Sequence, residues 1–60
     1  MPVVTVQQGP RGSELTRALV ARITDAFVDV YKIPADTVQV WVHEVPPDSW
    51  GVGGRLKADR

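Results

Sequence analysis

Cysteine is absent from this 60-residue chain, so no disulfide can staple it. Histidine occurs once, as His43. A single imidazole cannot furnish the four Cys or His ligands of a structural zinc site. An excess of either charge is also missing: seven Lys plus Arg balance seven Asp plus Glu, scattered with no basic run. That pattern argues against nucleic acid as a partner, because such binders carry a basic stripe or a net positive charge. Long apolar stretches are missing too, which leaves neither a membrane span nor a signal-peptide core. The cysteine-free composition fits a cytoplasmic protein.

These absences have a cost. A chain this short buries only about 60% of its unfolded surface. Ordering it costs about 1.5 kcal/mol per residue, which nearly cancels the return from apolar burial. With disulfides and metal set aside, self-association remains as the stabilising device. The expectation is one domain, residues 1–60, that is an obligate homo-oligomer.

Three segments carry the secondary structure. Val3, Val4 and Val6 form a short β-branched run that ends at Gln7-Gln8-Gly9-Pro10, which reads as a strand and a turn. Residues 14–31 read as a helix. Leu15, Leu19, Ile23, Phe27 and Tyr31 recur every fourth position, with Ala18, Ala26 and Val30 on the same side. Ser13 is the expected N-cap, Glu14 suits the helix dipole, Lys32 suits its far end, and Pro34 stops continuation. Residues 38–45 alternate Val38, Val40 and Val42 with Gln39, Trp41 and His43, a strand with one valine face. Trp41 on the other face calls for burial against a second subunit.

Strand, long helix, strand is the order of a right-handed crossover between two parallel strands. Two strands and one helix do not make a self-sufficient sheet. Two copies would supply four strands and two helices. The tail from Pro46 to Gly54 is turn-rich and fits a tight hairpin over a neighbouring subunit. The Gly51-Val52-Gly53-Gly54 cluster lacks the spacing of a phosphate loop. It reads instead as positive φ in that turn.

Pro2 follows the initiator methionine. Removal of Met1 would leave a secondary amine at the chain end. An α-amino group has a reference pKa of about 7.7–8.0. Apolar burial and a nearby cation both lower it. Such an amine can act as a general base or as a nucleophile toward a carbonyl; the plain alternative is that Pro2 merely opens an edge strand. Arg11 is a candidate carboxylate clamp or a solvated loop arginine. His43 and Glu44 are adjacent in a strand, point to opposite faces and do not form an acid–base pair. Trp50 is an interface anchor or a pocket wall. Ser13 and Ser49 have no histidine placed for a triad.

Taken together, the chain resembles the 4-oxalocrotonate tautomerase family over nearly its full length. The Pro2 start into a strand, Arg11 before the amphipathic helix, the Ile33-Pro34 break and the Trp50-Gly51-Val52-Gly53-Gly54 tail carry the resemblance. It implies an α/β subunit of β-α-β form with a short C-terminal hairpin. It also implies dimers with four-stranded sheets, a homohexamer built as a trimer of dimers, and no metal or organic cofactor. The implied activity is keto–enol tautomerisation of an unsaturated 2-oxo acid such as 2-hydroxymuconate. Pro2 would be the general base, Arg11 the group that binds the substrate carboxylate, and Trp50 the apolar wall. One departure stands out. Gln39 occupies the place of a family arginine that contacts the 2-oxo group. A neutral hydrogen bond contributes about 0.5–1.5 kcal/mol against about 1.5–3 for a charged one, so weaker activity on a dicarboxylate, or a different substrate, is expected. Two other readings share the fold: a hydrolytic dehalogenase resembling the 3-chloroacrylate dehalogenases, and a non-catalytic interaction module.

Overall fold

The valine run at the start of the chain forms β1 (Val3–Gln8), which pairs in parallel with β2 (Gln39–Glu44) in a computed structural model that describes all 60 residues. Val4 lies opposite Val40 and Val6 opposite Val42. These side chains point toward the helix α1 (Ser13–Tyr31), which makes the crossover, and are half-buried beneath it. Thr5 lies opposite Trp41 on the other face, where Trp41 is 55% exposed. The tail closes as an antiparallel pair, β3 (Gly51–Val52) with β4 (Arg55–Leu56). Its turn residues Gly53 and Gly54 both have positive φ, 63° and 83°, as a two-residue hairpin turn of the right twist requires. Short 3-10 turns at Ala35–Thr37, Pro47–Ser49 and Lys57–Asp59 link these elements. No helix is long and apolar enough to cross a membrane.

The helix starts differently from the sequence expectation. Ser13 is its first helical residue, and Gly12 is the N-cap, with φ 86° and ψ 156° and no side-chain cap. That backbone region is essentially open only to glycine. The Gly12 carbonyl accepts both the Thr16 N–H at 3.1 Å and the Thr16 Oγ1 hydroxyl at 2.9 Å, which fixes the first turn without capping its free N–H groups. At the other end Lys32 is the C-cap, in the left-handed region at φ 56°, and its N–H donates to the Val28 carbonyl. Its ammonium pairs loosely with Asp29 at 3.9 Å, an exposed contact that contributes little.

The inward face of α1 is also shifted. Thr16, Val20, Ile23, Thr24, Phe27 and Val28 are the half-buried positions. Leu15, Val30 and Tyr31, expected in the core stripe, are 63%, 69% and 63% exposed. At 100° per residue, Leu15, Leu19, Ala26 and Val30 form a second apolar stripe beside the first. The protomer leaves that stripe uncovered.

No residue of the protomer is buried. Its surface is 4690 Å², where a compact monomer of this mass exposes about 3,900 Å². Its radius of gyration is 14.7 Å, where a compact domain of this length has about 10 Å. The apolar surface that would form a core therefore faces outward, on α1 and on the Trp41 side of the sheet.

Gly12→Ala is expected to lower the thermal midpoint by several degrees at matched protomer concentration. An added Cβ at Gly12 meets no atom within 4 Å, so the cost is purely conformational, about 1–3 kcal/mol. Gly9→Ala is the control: it too meets nothing, and Gly9 has no positive φ. Equal midpoints for the two variants would refute the strain at Gly12.

Candidate functional site

Pro2 sits just before β1, at one end of the parallel pair. Its carbonyl accepts the Gln39 N–H at 3.0 Å, which fixes Gln39 beside it at the start of β2. The Gln39 side chain reaches outward to Met1, with Nε2 3.4 Å from Sδ. An open cavity of about 500 Å³ adjoins this end, lined by Met1, Pro2, Tyr31, Ile33, Pro34 and Thr37. No charged side chain lines it. With Met1 attached, the Pro2 nitrogen is a tertiary amide and has no basicity.

Arg11 lies at the opposite end. β1 has six residues at about 3.3 Å each, so about 20 Å of strand separates Pro2 from the loop that carries Arg11. The loop does not fold back. The Arg11 N–H donates to Glu44 Oε2 at 2.9 Å, and Glu44 ends β2 opposite Gln8. Lys32–Asp29 is the protomer's one ion pair. The Arg11 guanidinium is therefore exposed and without a carboxylate partner, while its backbone is tied.

Trp50 belongs to the Arg11 end. With Gln7, Val45, Ser49 and Gly51 it lines a depression of about 230 Å³. Lys57 holds Trp50 at two points, ring and main chain. Its ammonium lies 4.6 Å from the ring centroid, and its N–H donates to the Trp50 carbonyl at 2.7 Å. The hairpin thus folds the tail back on Trp50 and holds it half-buried. His43 is exposed, and Glu44 turns to the Arg11 loop rather than to His43.

The four candidate residues therefore divide in two. Pro2 and Gln39 share one end, and Arg11 and Trp50 share the other. The sequence raised Glu44 only as a neighbour of His43 and did not raise Lys57. Glu44 acts on a backbone N–H 33 residues away, and Lys57 meets Trp50 only because the hairpin turns the chain back.

The chain matches the family model for tautomerase enzymes over residues 2–60. It is 36% identical over 44 residues to the 2-hydroxymuconate tautomerase of Comamonas testosteroni, covering 73% of this chain and 70% of that one. Among solved structures, a 4-oxalocrotonate tautomerase homologue superposes with a TM-score of 0.90 at 34% identity, over 100% of this chain and 97% of that one. TomN, a homologue in the tomaymycin biosynthetic pathway, gives 0.88 at 35% identity, over 98% and 92%. The parallel pair, the single crossover helix and the closing hairpin are the fold these proteins share, and this chain belongs to the tautomerase family as an enzyme of the 4-oxalocrotonate tautomerase type.

Proposed function

We propose that this protein is a cofactor-independent keto–enol tautomerase of an unsaturated 2-oxo acid resembling 2-hydroxymuconate. The observation that carries the reading is the placement of Pro2. It heads β1 at the mouth of an apolar cavity, with the Gln39 side chain beside the space Met1 takes. Removal of Met1 frees a secondary amine at that point. The amine takes the 2-hydroxyl proton of the dienol. The electron pair moves through the conjugated chain to leave a 2-oxo group, and the ammonium returns the proton to a distal carbon. Gln39 Nε2 donates to the developing oxyanion. Arg11 holds the carboxylate and offsets the negative charge of the dienolate. Trp50 keeps that region poor in water.

Pro2 and Arg11 cannot reach one substrate from a single protomer, since a strand's length separates them. The reading therefore requires a site shared between copies, with Pro2 from one and Arg11 from another. A homohexamer built as a trimer of dimers meets that requirement, with the uncovered stripe of α1 and the Trp41 face as its contacts.

The dehalogenase alternative needs a free carboxylate to activate water. Asp48, in the Pro47–Ser49 turn, is the carboxylate in the right region for it, and the pH profile separates the readings, since a proline acid works below its pKa and a proline base above it. The test combines intact mass with ketonisation of 2-hydroxymuconate. A chain lacking Met1 is expected to turn the dienol over, with a rate that rises with pH through the titration of the amine. A chain lacking Met1 that is inactive on it, or whose rate falls as pH rises, would sink the base mechanism.

A further inference from the structure

We infer that Glu44 is a positioning residue for Arg11. The inference rests on the proposed role of Arg11 and adds the device that aims it. The connection from β1 to α1 is Gly9-Pro10-Arg11-Gly12. It contains two glycines, one at φ 86°, and a proline that has no N–H. Of the backbone donors in this connection, only the Arg11 N–H has a partner, and that partner is Glu44 Oε2, 33 residues away. A loop of this composition is flexible unless tied, and this is its tie.

The charge arrangement matters as much as the distance. A carboxylate next to an arginine ordinarily pairs with the guanidinium, and the side chain is then unavailable to a ligand. Here the carboxylate is occupied by the main-chain N–H, and the guanidinium forms no ion pair. Glu44 thereby fixes the Cα of Arg11 and leaves its five N–H donors for an incoming carboxylate. Glu44 itself is held in register. It lies opposite Gln8, and the next residue, Val45, donates its N–H to the Gln8 carbonyl at 2.7 Å. The end of the parallel pair is thus the rigid base from which the arginine projects.

The test uses the full chain with Met1 removed and compares E44A, E44Q, R11A and the E44A/R11A double variant. E44A is expected to raise KM for 2-hydroxymuconate about tenfold, with a smaller change in kcat. E44Q keeps an acceptor oxygen and is expected to stay within about threefold of the parent. In the R11A background, E44A is expected to change KM no further, because the group it positions is gone. Amide hydrogen exchange at Arg11 supplies a readout independent of turnover: protected in the parent and in E44Q, unprotected in E44A. An unchanged KM in E44A, or an equal increase with and without Arg11, overturns the assignment. If E44A fails to assemble, E44Q decides: an unprotected Arg11 N–H together with a parental KM in E44Q overturns it equally. R11A with a parental KM instead sinks the carboxylate-binding role itself, so the two failures are distinct.

Discussion

Pro2→Ala is expected to lower kcat/KM for 2-hydroxymuconate by about two to four orders of magnitude, the range general-base catalysis contributes. The fold should persist. Pro2 contributes only a carbonyl to the sheet, which accepts the Gln39 N–H, and alanine offers the same carbonyl. Circular dichroism and the elution volume of the assembly should therefore match the parent. Acylation of the chain-end amine should remove activity more completely than the alanine variant does. A primary amine retains some basicity, whereas an amide has none. An alanine variant with parental kcat/KM would exclude Pro2 as the base.

Mixed assemblies should show the second large effect. R11A is expected to bind the substrate carboxylate poorly, with a raised but measurable KM, and, like Pro2→Ala, to show little turnover alone at substrate concentrations below the parental KM. Co-refolding the two variants in equal amounts should restore about a quarter of parental activity. In a random mixture half of the sites take an intact Pro2, and half of those meet an intact Arg11. Restoration follows only if one site draws Pro2 and Arg11 from different protomers. If each protomer held both groups of its own site, every site would carry one lesion and the mixture would stay inactive. The comparison needs only a turnover assay against the two unmixed controls.

Much of the fold was legible because it rests on local signals. The β-branched run at Val3–Val6, the alternation around Val40 and the Gly53-Gly54 pair specify strand, strand and turn through backbone preference alone. The length of the crossover then dictates parallel pairing. What misleads is the inward face of α1. Hydrophobicity marks Leu15, Leu19 and Tyr31, but the helix sits on the sheet through Thr16, Val20, Thr24 and Val28. A helix with two apolar sides does not disclose which side meets its own strands. The smaller β-branched residues allow a close approach to the valine layer, and the larger ones remain for outside contacts. Ser13 misleads at the helix start because a glycine with φ 86° can begin a helix with no side-chain cap.

The candidate residues could be named one by one from the sequence, but their arrangement could not. Pro2 and Arg11 stand nine positions apart in sequence, and an extended strand converts that closeness into maximal separation. The roles of Glu44 and Lys57 in holding Arg11 and Trp50 required the folded chain. The Glu44 carboxylate meets the Arg11 N–H, and Lys57 meets the Trp50 carbonyl and ring, pairings that residue type alone does not announce.

In the proposed homohexamer, a protomer without a single buried residue has little apolar burial of its own to keep it folded once it separates. Dilution then acts on it as a denaturant does. Each tenfold drop in concentration removes about 1.4 kcal/mol from every association step, and folding is linked to those steps by mass action. The abundance of the enzyme in its cell is therefore a term in its stability. Below a threshold concentration the chain is substrate for proteases rather than a slower catalyst, so activity should vanish with falling expression as a cliff instead of a slope.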